Sequence, residues 1–180
     1  MRLAGRRTWA LGVVATFVAL SLTGCHTEYH GYDSGIDGTL WRQIASFEDP
    51  LSSSLFEPSA YEPIGYLNSL QAERWSGSLE SASDLDLEEG GVVLYDRTST
   101  DNAAGLSIFI ASGPRPDVPT DWGRNYDGPS QVFTCYRIEA EFSPGAMPSV
   151  GRTTFDHCPP ALVELMPADA AFASGEVFDG

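Results

Sequence analysis

The chain contains no lysine, and its ten basic residues are all arginines, set against 25 acidic residues. That absence removes Schiff-base catalysis, Ser-Lys dyads and Walker-type phosphate loops together, because each needs an ε-amine. Histidine is nearly as scarce. Of the three, His26 and His30 sit near the start of the chain and only His157 lies further in, which leaves one imidazole for proton transfer near neutral pH. The three cysteines, Cys25, Cys135 and Cys158, form no Cys-x-x-Cys pair. No Gly-x-Ser-x-Gly elbow, His-Glu-x-x-His helix or Gly-x-Gly-x-x-Gly turn occurs either, so the common signatures of hydrolases, zinc proteases and dinucleotide enzymes are missing. Long apolar runs are lacking too. The one pronounced run, Trp9 to Leu22, reaches only ~21 Å as a helix at ~1.5 Å per residue, short of the ~30 Å hydrocarbon core.

What that run does have is flanks. Arg2, Arg6 and Arg7 precede it, and the small residues Thr23-Gly24 follow it before Cys25. A basic region, an apolar stretch and small residues at a cleavage point are the three parts of an export signal. Leu22-Thr23-Gly24-Cys25 resembles the lipobox of bacterial lipoproteins, an aliphatic residue and two small residues ahead of a cysteine. The resemblance covers the targeting segment only. It implies cleavage between Gly24 and Cys25, a diacylglyceryl group on the Cys25 sulfur, and residence at the extracytoplasmic face of the cell membrane. Two acyl chains hold a protein stably where one does so marginally. Arg6-Arg7 also loosely resembles a twin-arginine signal, which would mean export after folding.

Residues 1–24 are therefore expected to be a signal peptide, 25–38 a lipidated tether that is polar and glycine-bearing, and 39–180 one domain. The signal holds three of the ten arginines and none of the acids, so seven Arg face 25 acids in the remainder, a formal charge of −18. Polyphosphates and anionic headgroups are repelled by such a field. Nucleic acid is excluded as a partner, the bilayer is met through the acyl anchor, and an envelope protein or a cationic ligand is the fitting class. With Cys25 lipidated, Cys135 and Cys158 are left to form one disulfide in an oxidising compartment.

Within the domain, Leu40, Ile44, Phe47 and Leu51 recur at helical spacing and predict a helix over about 39–49; another short helix is expected near 67–75. Strands are expected at 91–97 and 105–111. The most regular strand is 131–142, with Val132, Tyr136, Ile138, Ala140 and Phe142 on one face and Cys135, Arg137, Glu139 and Glu141 on the other. Setting Cys135 directly opposite Cys158 predicts an antiparallel hairpin stapled on its outer face, with Arg137 against Asp156, Glu141 against Arg152 and Ile138 against Phe155. His157 then faces Tyr136 on the inner side as a packing residue. Pro159-Pro160 should open a short helical stretch over 161–166, stopped by Pro167. The fold class is α+β, an N-terminal helical segment packed on a small, mainly antiparallel sheet with one disulfide.

Two segments merit attention as sites. Asp84, Asp86 and Glu88 alternate with Leu85 and Leu87 and are weak candidates for a hard cation. In a strand, though, they would stand ~6.7 Å apart and fail to converge, so a solvated strand face is the simpler reading and no metal or other cofactor is assigned. The Pro- and Gly-rich segment 112–130 carries Arg115, Trp122, Arg124 and Tyr126, the residue types that dominate binding hot spots, in a long irregular connection. The expected function is a non-catalytic binding or interaction module of the cell envelope. The alternatives are a small envelope hydrolase using paired carboxylates from 84–89 or 121–127, and a structural lipoprotein without a specific ligand. The chain as a whole resembles the small lipoproteins of actinobacteria.

Overall fold

The computed structural model describes residues 27–29, 34–52, 62–115 and 128–174. In chain order these form β1 (Thr27–Tyr29), α1 (Ser34–Ser52), α2 (Pro63–Ser69), β2 (Glu73–Arg74), α3 (Leu79–Ala82), β3 (Gly91–Ser99), β4 (Ala103–Ala111), β5 (Val132–Glu141), β6 (Ser149–Thr154), α4 (Pro160–Val163) and β7 (Ala171–Ala173).

The seven strands make one mixed sheet in the order β1-β7-β5-β4-β3-β2, with β6 also paired to β5. The three long ladders, β3 with β4, β4 with β5 and β5 with β6, are antiparallel; the short ones, β1 with β7, β2 with β3 and β5 with β7, are parallel. β7 pairs with Val132 and Phe133 at one end of β5, and β6 with Tyr136 to Glu141 at the other. Two strands thus share one edge of β5, and the sheet is mixed, with its long ladders antiparallel as expected and its short ones parallel.

Helices lie on both faces. On one face Ile36, Leu40, Ile44, Phe47 and Leu51 of α1 and Tyr66 and Leu67 of α2 form one apolar cluster with Leu94, Leu106, Ile108, Ile110, Val132, Tyr136 and Ile138 of the sheet. α1 carries its apolar residues at i, i+4 and i+3 spacing, so a single stripe is buried. It begins at Ser34 and runs through Pro50 to Ser52; a proline this close to the end forfeits one backbone bond in a turn that is about to stop. The Tyr66 hydroxyl donates to the Phe47 carbonyl at 2.7 Å and ties α2 to α1. On the other face Val93, Tyr95, Phe109, Phe133 and Cys135 meet Leu87, Cys158, Leu162, Met166 and Ala170. Phe133 and Phe109 stack there, with ring centroids 5.6 Å apart.

β5 shows how unevenly the second face is covered. Its even-numbered residues from Val132 to Ala140 are all buried beneath or beside α1 and α2, whereas on the odd face Phe133 and Cys135 are buried and Glu139 and Glu141 are exposed. The elements around α4 shelter only the first half of the strand. Over the open half, the Arg137 guanidinium donates to Glu139 Oε1 at 2.9 Å, Thr98 Oγ1 at 3.1 Å and the Asp96 carbonyl at 3.2 Å. Gly105 makes room for it, since a Cβ there would fall 2.5 Å from Arg137 Nη2.

Several expectations need correction. Cys135 and Cys158 are bonded, with Cα atoms 5.6 Å apart, but they are not opposed in the ladder. Arg137 faces Thr153, Ile138 faces Arg152 and Glu141 faces Ser149. The pairing ends at Thr154, and the chain then bends over the sheet face so that Cys158 reaches Cys135 from the layer of α4. The staple is therefore buried, not on an outer face. A register change of an odd number of residues also reverses the facing of every β6 side chain, which turns Arg152 inward. His157, freed from the ladder, is exposed in the bend and does not pack on Tyr136.

The segment 84–90 is a turn rather than a strand, and the helix expected over 67–75 is placed earlier, as α2, with Glu73 and Arg74 in β2. The segment 25–38 is in part built into the domain instead of hanging from it. Thr27–Tyr29 pairs with β7, Tyr29 is fully buried, and its hydroxyl donates to Asp37 Oδ1 at 2.8 Å across to α1.

Candidate functional site

The two segments nominated from the sequence meet at one end of the sheet, where β4 leaves and β5 enters. The stem of the connecting loop is zipped by backbone bonds: Ser112 N donates to the Val132 carbonyl at 2.9 Å, and Arg115 N to the Ser130 carbonyl at 3.1 Å. Val132 N in turn donates to Ser112 Oγ at 3.0 Å. Arg115 is half-buried at this stem. Trp122, Arg124 and Tyr126 lie outside the described residues, as do Asp121 and Asp127.

The acidic turn 84–90 is pressed against the stem by two glycines in the left-handed region, Gly90 at φ +84° and Gly113 at φ +77°. A Cβ on Gly90 would stand 2.4 Å from Gly113 N, and one on Gly113 would stand 2.5 Å from the Glu89 carbonyl oxygen. No side chain fits either place. Gln131, 3% exposed, fixes the same turn from below by donating Nε2 to the Glu88 carbonyl at 2.6 Å. Its Oε1 is buried without a partner. From α1, Gln43 Nε2 donates to the Ala111 carbonyl at 3.3 Å, and its Oε1 likewise is buried and unpaired. A buried acceptor left unpaired is costly in a folded protein.

Ser130 completes the rim. Its hydroxyl donates to Asp169 Oδ1 at 2.8 Å and its N–H to Oδ2 at 3.3 Å. The hydroxyl bond comes first among the causes that hold the Asp169 carboxyl below the usual carboxylate range. A group held ionised in this way can accept hydrogen bonds from a cation but has no proton to give near neutral pH.

Asp84, Asp86 and Glu88 are all exposed on the turn, and Asp86 Oδ1 accepts from Glu88 N at 3.2 Å. That carboxylate is therefore occupied in closing its own turn. No group of three or more His, Cys, Asp or Glu among the described residues is placed to hold a metal ion. Leu85, Asp86, Leu87, Glu88 and Leu165 line an open depression of about 330 Å³. Its walls mix apolar carbon with two carboxylates, which suits the aliphatic stem and charged head of a cationic side chain.

A second polar cluster joins β6 to α1. Arg152 Nε and Nη2 donate to Glu48 Oε1 at 2.9 Å and Oε2 at 2.6 Å, with both side chains 23% exposed. The guanidinium stands 5.9 Å from the Trp41 ring centroid and 5.5 Å from that of Tyr136. The Tyr136 hydroxyl beneath it is buried without a partner. Burial above all, then the negative charge of Glu48, raises its pKa well above the ordinary phenol value, against the smaller opposing effect of Arg152. On the other face the Tyr95 hydroxyl is in the same condition, raised by burial and then by Asp96. Neither phenol is a base near neutral pH, and the two lie on opposite sides of the sheet.

Sequence reading reached the loop and the acidic turn but not their contact, nor Gln131, Ser130 with Asp169, or Glu48 with Arg152. The last pair is separated by 104 positions, and no local pattern marks it. Gln131 carried one signal: a polar residue directly ahead of a strongly apolar strand. Compared with known protein families, with curated proteins and with solved structures, the chain matches none.

Proposed function

We propose that this protein is a lipid-anchored, extracytoplasmic binding module of the bacterial cell envelope, held to the membrane by a diacylglyceryl group on Cys25 and engaging a cationic partner at the loop-bearing end of its sheet. The observation that carries the anchoring is the order of residues from Arg2 to Cys25, a basic start, an apolar stretch too short to span, and Leu-Thr-Gly-Cys. Cys25 stands two residues ahead of Thr27, the first residue of β1. An acyl group there would hold the β1 edge of the sheet close to the bilayer, with little chain between lipid and domain. The buried Cys135–Cys158 bridge fits an oxidising compartment. α1, as the N-terminal helical layer, would follow the anchored strand directly.

Binding is favoured over catalysis by the geometry of the loop-bearing end. There Asp86 closes its own turn and Asp169 accepts from Ser130, so these two carboxylates are engaged within the fold rather than aimed across a cleft. The charge of −18 beyond the signal and the mixed apolar and acidic depression suit an arginine- or lysine-bearing partner. The anchoring is tested by the mass of the mature chain. It should begin at a diacylglyceryl-modified Cys25, and Cys25→Ala should accumulate uncleaved precursor; normal processing of that variant would refute the assignment. Binding is tested by capture from envelope extract with the intact chain and with Arg115, Trp122, Arg124 and Tyr126 changed to serine. Equal capture of the same proteins by both, at equal melting temperature, would remove the loop from the reading.

A further inference from the structure

The side of the sheet that carries β1 also carries β6, and we infer that this side lies on the bilayer, where Trp41, Met147 and Val150 make a second, apolar contact with the lipid surface beside the anchor. The inference rests on the anchoring proposed above. β7 and β6 pair with the same edge of β5, at its two ends, and β1 lies outermost on β7. Cys25 stands two residues ahead of Thr27, so at ~3.3 Å per residue the acyl group leaves within about 7 Å of β1. A domain held so closely must turn one of its sides to the lipid.

Of the five large apolar side chains exposed among the described residues, three belong to this side: Trp41 at 37%, Met147 at 48% and Val150 at 39%. The other two, Ile64 and Leu79, stand on α2 and α3. The three are linked through Arg152. Its guanidinium lies 5.9 Å from the Trp41 ring centroid, Val150 is two residues away on the same face of β6, and Met147 occupies the turn just ahead of that strand. The whole segment from Phe142 to Phe155 holds no Asp or Glu and one Arg, in a chain whose formal charge beyond the signal is −18. Anionic headgroups therefore repel this stretch less than the acidic remainder. The Arg152 charge is matched by Glu48. Glu28, Glu139 and Glu141 are exposed, but their register with Phe133, Gly151 and Ser149 puts them on the opposite face of the sheet from Val150 and Arg152.

Three part-exposed side chains hold a protein to lipid only weakly by themselves. The anchor changes that, because it makes the contact intramolecular and raises its effective concentration. A tryptophan suits the place, as its ring is apolar and its N–H can stay among the headgroups. In this posture the acidic turn 84–90, which leads into β3 three strands from β6, is held away from the bilayer and stays open to a cationic partner.

The posture is read from the mature chain in phosphatidylcholine vesicles containing a nitroxide-headgroup lipid, with no other protein present. Cys25 is capped by its lipid and Cys135 is bridged to Cys158, so a thiol introduced at Ala146 or Glu89, both exposed, is the one open to a fluorophore. Ala146 precedes β6 and Glu89 precedes β3, three inter-strand steps of ~4.8 Å apart, so quenching should be at least about threefold stronger for Ala146→Cys than for Glu89→Cys. Met147→Glu combined with Val150→Thr should remove most of that difference, at unchanged sedimentation with the vesicles and unchanged melting temperature. Equal quenching at the two positions, stronger quenching at Glu89→Cys, or a folded double variant that keeps the full difference would each overturn the inference while leaving the anchor in place. The label comparison decides the matter even where the double variant unfolds. A mature chain that fails to sediment with the vesicles would instead remove the anchoring, and this contact with it.

Discussion

Removing the disulfide is the perturbation whose size the structure sets most directly. Cys135 and Cys158 are 1% and 8% exposed and close a loop of 23 residues that contains all of β6. In the chain-entropy account the cross-link lowers the entropy of the unfolded ensemble by about 2.1 + 1.5R ln n cal/mol/K, which for a loop of this length is about 3.4 kcal/mol at 25 °C. The double variant Cys135→Ala/Cys158→Ala should lose that amount in urea unfolding followed by tryptophan fluorescence. At about 2–4 °C per kcal/mol for a domain of this size, the midpoint temperature should fall by about 7–14 °C. The urea slope should also rise, because the unfolded chain is no longer looped and exposes more surface. The bend 155–159 and α4 should loosen first, since the bridge joins that layer to β5. A loss below about 1 kcal/mol with an unchanged slope would refute the reasoning, as it would mean that the bridge does not constrain the unfolded chain.

Three further outcomes are expected. A double-mutant cycle on Glu48→Gln and Arg152→Met should return a coupling of about 1–2 kcal/mol, between the values for exposed pairs and for charge-assisted bonds in the interior, because the pair is two-pronged yet 23% exposed on each side; additivity within about 0.3 kcal/mol would deny it any role in holding β6 to α1. Gly113→Ala should cost at least about 1–3 kcal/mol by chemical denaturation, since it adds a Cβ at positive φ within 2.5 Å of the Glu89 carbonyl oxygen, whereas Gly145→Ala, at positive φ but in open space, should cost less. Asp169 titrates low because Ser130 bonds its ionised form, so its contribution is present above the unfolded carboxylate pKa and is lost as pH falls through the folded value. Ser130→Ala should move the NMR-observed titration of Asp169 upward; an unmoved midpoint would assign the shift to another cause.

The local patterns of this chain were legible because periodicity is a local property. Four apolar residues at helical spacing, Leu40, Ile44, Phe47 and Leu51, specified the buried stripe of α1, which Ile36 extends in the structure, and strict alternation specified which face of β5 is apolar, as neither needs knowledge of a distant partner. The absence of lysine, the acidity and the residues leading to Cys25 equally belong to the sequence, and they limit the chemistry and motivate the proposed anchoring without reference to any fold. Register was a different matter. Two cysteines that bond can be opposed in a ladder or can meet because one strand ends and the chain doubles back, and the sequence is compatible with both. Tertiary packing decided it: α4 and its flanks cover only the first half of the odd face of β5, so Cys158 joins that layer. β6 then slides to the register that places Arg152 beside Glu48.

The same limit explains the loop-bearing end, where two glycines and Gln131 bring an acidic turn and a loop stem together across more than twenty positions of chain. Close approach of backbone to backbone leaves no residue pattern except the glycines themselves. Thr27–Tyr29 was read as tether because three residues are too few to show a period, yet pairing with β7 from the far end of the chain makes them a strand. What the sequence settles by itself is the chemistry of each segment and which of its faces is apolar. Which segments meet, and at what offset, depends on packing energy summed over the whole core.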